Sequence, residues 1–425
     1  MDGVLILKIV IAVGIMQMLL GLISYLILLE RKTAAWIQDR VGPNRVGPQG
    51  LLQPIADGVK FILKEEFIPK QADKVLFLLA PIAILTPALC GFAVIPWGGI
   101  LQKGATIPVI GWSLPVDFPF MVANPDVGVL FVLAMAGLAT YGVVLGGWAS
   151  GSKYSFLGGL RATAQMLSYE VPLALSLMTV LLVAGTLSLT KMVESQAGYF
   201  DIAGLHFLPK WNIFVHPVAF VIFTVCIFAE ANRTPFDLAE CESELVGGYH
   251  TEYSSMKFAL FFLAEYSAMI TGAAVMISLF LGGWHLPWID YLIYGKAQPV
   301  DGGWIDVLIK FCVFWGKVVA FLFFYMWVRW TLPRFRFDQL MSLAWRGLIP
   351  VALAALLFTS FVVYLHKQID LQYPNLWIFV GNLAIFGVLL AILSRPRAVQ
   401  NRRIAVPNSR YNPQLAQRAV PVEPA

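Results

Sequence analysis

The chain has few charged residues and few of the side chains that bind metals. Of its 425 residues, 13% are Asp, Glu, Lys or Arg, whereas 59% are hydrophobic and the mean hydropathy is +0.74. This composition excludes an ordinary soluble protein and indicates an integral membrane protein. The 4 Cys and 5 His residues show no zinc or iron–sulfur spacing. We therefore expect no metal site, no cluster and no disulfide framework.

Nucleotide-binding motifs are also missing. No Gly-x-Gly-x-x-Gly opens a strand–helix unit, and no Gly-rich loop ends in Lys-Ser or Lys-Thr. Any redox or nucleotide chemistry therefore takes place on another polypeptide, and no cofactor is expected on this chain. The first apolar run, from about Val4 to Leu29, is too long for a signal peptide and lacks a small-residue cleavage site. It is predicted to be a retained helix.

Long apolar runs dominate the rest of the chain. A bilayer core needs ~20 apolar residues per helix. The runs that qualify are 4–29, 75–97, 127–149, 163–188, 213–231, 258–281, 307–330, 347–366 and 376–394. The predicted fold class is an all-α integral membrane protein with about nine transmembrane helices.

The distribution of basic residues predicts how these helices are oriented. Of the 30 Lys and Arg residues, 22 follow odd-numbered spans and five follow even-numbered spans. Positive residues concentrate on the cytoplasmic side, so the N-terminus is predicted outside and the C-terminus inside. The chain then divides into a membrane domain, 1–394, and a polar cytoplasmic tail, 395–425, whose unpatterned composition is typical of disorder.

The first inner loop, 30–74, combines a stiff turn with an amphipathic helix. Two Val-Gly-Pro units stand within 41–48, where Pro restricts φ and Gly permits a bend. Leu51, Ile55, Val59 and Ile62 then recur at helical spacing, which predicts an interfacial helix of ~14 residues. This helix either anchors the loop or lets an amphiphile enter beside it, and the pattern alone favours neither.

Three carboxylates interrupt the apolar runs. Glu170, Glu230 and Glu265 all fall in the predicted inner half of the membrane. A buried acid costs several kcal/mol, so each is a candidate for a function in proton transfer. The alternative is that each pairs with a nearby Arg, Lys or Tyr and locks two helices together. Three acids in the same leaflet favour proton handling.

A second inner loop, 231–257, is acidic. Pro235 ends the preceding helix, and the acidic residues that follow are Asp237, Glu240, Glu242, Glu244 and Glu252. Such a run is usually a solvated loop. Because it follows Glu230 directly and faces the basic first loop, we interpret it as an acidic funnel below the membrane acids.

Four stretches carry a resemblance to a known family. They are ERKTAAWIQDRVGPNRVGPQGLLQPIADGVKFILKEEFIP (30–69), KYSFLGGLRATAQMLSYE (153–170), EANRTPFDLAECESELVGGYHTEY (230–253) and WTLPRFRFDQLM (330–341). In this order they closely resemble a membrane subunit of NADH-quinone oxidoreductase, the respiratory complex I, namely the bacterial counterpart of mitochondrial subunit one. The resemblance extends from about residue 5 to about residue 366. Related subunits occur in hydrogenase-type complexes, so the electron donor is open.

The resemblance implies a subunit that forms the quinone-binding chamber and couples quinone reduction to proton translocation. The chamber positions are Glu30, Arg31, Asp57, Arg233, Asp237, Glu240 and Arg329. The proton-relay positions are Glu170, Glu230, Glu265, Glu242 and Glu244. It further implies quinone as substrate, with NADH, FMN and iron–sulfur clusters on partner subunits. The expected partners are hydrophilic-arm and antiporter-like membrane subunits, in a bacterial inner membrane, without nucleic acid.

Two other functions remain open from the residues alone. One is a secondary ion transporter that works by itself, although no internal repeat supports it. The other is a passive membrane anchor for a hydrogenase-like module, against which the three membrane acids argue.

Overall fold

The computed structural model describes residues 2–104, 117–200, 208–238, 246–288, 290, 303–369 and 373–393. Its helices are α1 (Asp2–Ile37), α2 (Gln53–Leu63), α3 (Lys74–Cys90), α4 (Gly128–Ala149), α5 (Lys153–Ala184), α6 (Leu189–Ser195), α7 (Asn212–Val215), α8 (Pro217–Glu230), α9 (Ser255–Phe280), α10 (Trp304–Thr331), α11 (Phe337–Ser342), α12 (Ile349–Ile369) and α13 (Pro374–Leu393). One compact unit comprises Met1–Phe386, and the end of α13 belongs to a second unit, Gly387–Ala425. The predicted tail, 395–425, lies outside the described residues.

Short elements connect these helices. Single 3-10 turns occupy Pro48–Gly50, Gly91–Val94 and Gly248–His250, and a π-helical turn, Leu343–Leu348, joins α11 to α12. Two antiparallel strands of two residues, β1 (Ile100–Leu101) and β2 (Phe118–Pro119), pair Ile100 with Pro119 and Leu101 with Phe118. The remaining regular elements of the described part of the chain are helices, as the sequence predicts, and loops and turns connect them.

Among the residues that the structure describes, seven helical segments are long and apolar enough to cross a membrane. They are Leu5–Ile37, Lys74–Val94, Gly128–Ala149, Lys153–Ala184, Ser255–Phe280, Trp304–Thr331 and Phe337–Ile369. The other two predicted spans correspond to shorter apolar helices, Pro217–Glu230 and Pro374–Leu389. The fifth span is short because Pro217 lacks a backbone N–H, so α7 ends at Val215 and α8 starts anew. The all-α membrane fold class is confirmed.

A hydrophobic core lies between α3, α4, α5 and α9. Buried Phe77, Ile84, Val143, Met166 and Phe261 pack there with their neighbours. Glycines bring these helices close together. A Cβ added at Gly142 of α4 would lie 2.6 Å from the backbone nitrogen of Ile84 in α3. Interior packing of this density leaves no room for an extra methyl group.

Gly158 of α5 places the turn that carries Tyr249. A Cβ at Gly158 would lie 2.7 Å from the Cα and carbonyl carbon of Gly248, and 2.8 Å from the backbone nitrogen of Tyr249. These are backbone atoms, so the turn has to move when the glycine is replaced. The position of Tyr249 therefore depends on the absence of a side chain at residue 158.

Replacing Gly158 by Ala is expected to destabilise the protein by about 1–3 kcal/mol, because the added methyl group overlaps the Gly248–Tyr249 backbone. The measurement is the thermal midpoint of the purified protein. The matched control is Gly21→Ala in α1, where an added Cβ meets nothing within 4 Å. Equal midpoints for the two variants would contradict the predicted overlap.

Candidate functional site

A pocket of about 500 Å³ opens between α1, α2 and α9. Its apolar walls include Ile23, Phe61, Met256 and Phe262. Its polar lining consists of Ser24, Glu30, Arg31, Gln53, Asp57, Arg233, Tyr266 and Arg329. We call it the α1–α2 pocket. Five of the seven predicted quinone-site residues line it, and these five are Glu30, Arg31, Asp57, Arg233 and Arg329.

The amphipathic helix α2 forms one side of this pocket. Arg31 Nη1 donates to Asp57 Oδ2 at 2.7 Å, and Gln53 Nε2 donates to Asp57 Oδ1 at 3.0 Å. The Arg31 contact joins α2 to the end of α1, whereas the Gln53 contact lies within α2 and holds the Asp57 carboxylate in place. The predicted apolar face is exposed, since Ile55 and Ile62 have more than half of their surface free. The amphipathic helix is thus confirmed, and within the described structure none of its residues is buried.

Glu30 is the centre of a buried charge cluster. Its carboxylate accepts a hydrogen bond from Tyr266 Oη at 2.6 Å and one from Arg329, with which it also forms an ion pair. Arg233 Nη1 lies 3.8 Å from the same carboxylate. Two guanidinium groups therefore surround one acid, which compensates the cost of burying its charge.

Arg233 connects this cluster to Glu265. Its Nη2 lies 3.9 Å from Glu265 Oε2, and its guanidinium lies 4.2 Å from the centre of the Tyr266 ring. Glu265 also accepts a hydrogen bond from Tyr249 Oη at 2.8 Å. One buried arginine is thus shared between a pocket acid, Glu30, and a membrane acid, Glu265. For Glu265 this pairing also agrees with the helix-locking alternative.

A second cavity, of about 90 Å³, lies between α3, α4, α5, α8 and α9. Its polar lining includes Glu230, Asn232, Tyr249, Glu265 and Thr271, and most of the remaining lining is apolar. A single water needs ~10–15 Å³ and two or more polar partners. This α8–α9 cavity therefore has room for several waters that would connect Glu230 with Glu265.

Glu170 lies outside the lining of this cavity but within electrostatic reach of Glu230. Its Oε1 is buried and has no hydrogen-bond partner among the described residues. Glu230 likewise accepts no hydrogen bond in the described part of the chain. For these two acids the predicted pairing to an Arg, Lys or Tyr is not observed.

The two residues that precede Glu170, Ser168 and Tyr169, form hydrogen bonds with α11 and with the π-helical turn. Tyr169 Oη donates to the carbonyl oxygen of Leu340 at 3.0 Å, and Trp345 Nε1 donates to Ser168 Oγ at 3.3 Å. A π-helical turn is rare and is often found at functional sites. Here it fixes the segment of α5 that carries the first of the three membrane acids.

Asp237 binds a partner outside the Glu30 cluster, although Arg329 and Arg233 of the cluster are near enough to act on its carboxyl. It accepts a hydrogen bond from Arg334 Nη2 at 3.0 Å and does not line the α1–α2 pocket. Burial raises the pKa of the Asp237 carboxyl above its ordinary value, although the charge of Arg334 acts in the opposite direction. The other predicted acids of this loop, Glu240, Glu242 and Glu244, lie outside the described residues, so the acidic funnel stays a prediction.

The structure also brings in residues that the sequence analysis did not select. Tyr249 and Tyr266 bind Glu265 and Glu30, and Gln53 binds Asp57. Tyr266 could have been found as the polar neighbour of Glu265 in an apolar run. Nothing in the sequence singles out Tyr249. Within the described ranges, no group of three or more His, Cys, Asp or Glu residues could hold a metal ion.

Comparison with known proteins decides the family. The family model described as NADH dehydrogenase matches residues 9–360. The chain belongs to this family. The membership confirms the resemblance carried by the four sequence stretches, and it covers both the α1–α2 pocket and the three membrane acids. Helix α13 lies beyond the matched residues.

Relatives from distant bacteria, all named as the same subunit of NADH-quinone oxidoreductase, are similar over most of their length. The relative from Cytophaga hutchinsonii is 45% identical over 359 residues, which is 84% of this chain and 97% of the relative. The one from Leptospira biflexa is 46% identical over 348 residues, or 81% and 92%. The one from Frankia alni is 44% identical over 392 residues, or 92% and 80%. The relatives are thus components of a larger oxidoreductase.

Proposed function

We propose that this chain is the membrane subunit that binds quinone in a proton-pumping NADH:quinone oxidoreductase and couples quinone reduction to proton movement. Its relatives are named as a subunit of NADH-quinone oxidoreductase. The observation that carries the proposal is Arg233, which joins the Glu30 cluster of the pocket to Glu265 beside the cavity. Because one buried guanidinium group lies beside both Glu30 and Glu265, a change of charge at either carboxylate directly affects the other.

The α1–α2 pocket has the chemistry that a quinone needs. Most of its lining is apolar enough for a hydrocarbon tail, and charged side chains from α1, α2 and α10 line the rest. Small-molecule pockets of this kind bury the apolar part of a ligand and orient it through a few polar groups. The exposed apolar face of α2 supports an opening at the membrane surface, where a lipid-soluble substrate arrives.

Coupling follows from the charge change of the reaction. Quinone takes up two electrons from a partner subunit and two protons to give quinol. When charge develops near Glu30, the guanidinium of Arg233 is attracted toward it and away from Glu265. Glu265 then binds a proton more readily, because its neighbouring cation has moved. Water in the α8–α9 cavity and Glu230 pass the proton onward, with Glu170 as the next acid.

The remaining parts of the enzyme are proposed from the same relationship. NADH, FMN and iron–sulfur clusters belong to partner subunits of a hydrophilic arm, and antiporter-like subunits share the membrane. The chain is then a multi-pass protein of the bacterial inner membrane, with its N-terminus outside and its C-terminus in the cytoplasm. In a hydrogenase-type complex the same pocket and acids would serve another electron donor.

Labelling with a photoreactive quinone tests the binding site. In the intact complex we expect label on residues of α1, α2 or α9 that line the pocket, and unmodified quinone should compete for it. The control is a separate labelling with a photoreactive fatty acid of equal length. It should modify lipid-facing residues, and unmodified quinone should not compete with it. Quinone label confined to other subunits would contradict the proposal.

Replacing Asp57 by Asn is expected to raise the KM for quinone about three- to tenfold with little change in kcat, because a charge-assisted bond to Arg31 that positions α2 is weakened. The measurement is quinone-reductase kinetics in membranes. The control is Asp39→Asn, an exposed acid in the same inner loop. If both variants have the KM of the unmodified protein, Asp57 does not serve quinone binding.

A further inference from the structure

The segment that follows α2 is joined to the beginning of α9 by three different contacts. Ser255 Oγ donates to the carbonyl oxygen of Phe61 at 2.8 Å, and the Phe67 N–H donates to Ser254 Oγ at 3.0 Å. Lys257 Nζ forms an ion pair with Glu66 Oε1 at 2.6 Å. We call this set of contacts the clasp, and its members are Phe61, Glu66, Phe67, Ser254, Ser255 and Lys257.

In the ion pair of the clasp, Lys257 is buried and Glu66 is exposed. Lys257 is 8% exposed, and its ammonium lies 5.3 Å from the centre of the Phe77 ring in α3. The Glu66 side chain, in contrast, is 56% exposed. A buried ammonium group needs an anionic partner, whereas an exposed carboxylate does not. Lys257 therefore holds the segment after α2 close to α9. If this segment moved away, the buried ammonium group would lose its anionic partner.

The backbone at this point is strained. Ser255 begins α9 with φ of +56°, a conformation that residues with a side chain rarely adopt. Such strain persists where the surrounding contacts determine the conformation, and it is common at functional sites. The hydrogen bond from Ser255 to Phe61 is one of the contacts that hold this conformation. The strained residue and the pocket wall are thus connected directly.

The clasp lies at the edge of the α1–α2 pocket. Phe61 and Ile62 line the pocket from α2, while Met256, Phe258 and Ala259 line it from the first turns of α9. The ring centres of Phe61 and Phe258 are 6.4 Å apart. The clasp connects the ends of these two walls, so it determines how far apart they stand. Its three contacts include none of the charged residues that line the described pocket.

We propose that the clasp sets the width of the α1–α2 pocket and thereby positions the hydrocarbon tail of a long-tailed quinone, with Lys257 and Glu66 as positioning residues. This inference rests on the proposed function and names the residues that select for the tail rather than the head of the substrate. The head remains with the Glu30 cluster.

The test compares a long-tailed with a short-tailed quinone in the intact complex. In Lys257→Met and in Glu66→Gln, we expect the KM for the long-tailed quinone to rise roughly three- to fivefold, because α2 is held less firmly against α9. The KM for the short-tailed quinone and both kcat values should stay within about twofold. The double variant should resemble either single variant, since both remove the same ion pair.

Ser255→Gly is the second variant, in case loss of the buried lysine prevents assembly. Glycine adopts the positive φ without strain and lacks the hydroxyl group, so the protein should fold while the bond to Phe61 is lost. The same rise in KM for the long-tailed quinone is expected. The control is Glu65→Gln, an exposed neighbour of Glu66 whose charge forms no ion pair among the described residues.

Two results would overturn the clasp proposal. One is a KM for the long-tailed quinone in Glu66→Gln and Ser255→Gly that equals the value in Glu65→Gln. The other is an equal rise for both quinones, which would mean that the head site is disturbed. Labelling of the wild-type complex with the photoreactive quinone distinguishes this failure from failure of the proposed function. If the quinone labels residues of the α1–α2 pocket, only the clasp proposal is wrong. If it does not label the pocket, the proposed function is wrong as well.

Discussion

Replacing Arg233 by Met is expected to lower quinone-reductase turnover at least about tenfold and to reduce the amount of assembled complex. Arg233 is 7% exposed and lies beside both Glu30 and Glu265. Removing one partner of a buried ion network costs about 3–5 kcal/mol, because the remaining charges stay buried without compensation. In this variant two buried carboxylates lose the cation that they share.

The measurement has to separate turnover from assembly. Quinone reduction is therefore normalised to electron transfer from the donor to a soluble acceptor that does not need the quinone site. The control is Arg40→Met, an exposed arginine whose side chain bonds only to Gln38 in the described structure. Arg233→Lys should restore part of the activity, since a lysine keeps the charge but cannot contact two carboxylates in a fixed geometry. Normalised turnover of Arg233→Met within twofold of the unmodified protein would show that Arg233 does not couple the two sites.

Replacing Glu265 by Gln is expected to lower proton translocation per quinone reduced by at least about tenfold, because a positioned proton-transferring group typically contributes about 10²–10⁴-fold to a rate. The amide has nearly the same size as the carboxyl group, and its oxygen can still accept the hydrogen bond from Tyr249 Oη. What it cannot do is bind and release a proton. The variant therefore removes the chemistry of Glu265 while it preserves much of the local packing.

Inverted membrane vesicles allow both quantities to be followed together. Acidification of the vesicle lumen reports translocation, and quinone reduction is measured in the same sample. Glu230→Gln should behave like Glu265→Gln, because both acids line the α8–α9 cavity. Glu265→Asp should retain part of the translocation. The control is Glu194→Gln, an exposed glutamate. If translocation and quinone reduction both stay at the level of the control, the relay through these acids is wrong.

The transmembrane helices could be predicted from the sequence because a bilayer imposes a local rule. Backbone polar groups must bond within each segment, so long apolar runs form helices whatever their neighbours are. The same reasoning identified α2, whose apolar residues recur at helical spacing. It also selected Glu170, Glu230 and Glu265, since a charged residue within an apolar run requires a partner or a function. Glu30 and Asp57 were selected by the resemblance to a known family.

The sequence analysis could not predict which of these groups meet. Asp237 and Arg233 are four residues apart in one loop, yet Arg233 binds Glu30 and lies near Glu265 while Asp237 binds Arg334. The two residues thus take different ion-pair partners, although Arg233 is near enough to act electrostatically on the Asp237 carboxyl. Tyr249 reaches Glu265 only because Gly158 of α5 leaves space for the Gly248–Tyr249 backbone.

By itself, therefore, the sequence determined the helices, the interfacial position of α2 and the set of polar residues from which a site could be built. The tertiary structure decided that Glu30, Arg233, Tyr266 and Arg329 form one cluster, that Arg233 shares its charge with Glu265, and that Lys257 fastens α9 to the segment after α2. The physical reason is distance. Burial in a membrane follows from local composition, whereas an ion pair depends on a separation of a few ångströms that only the packing of distant helices sets.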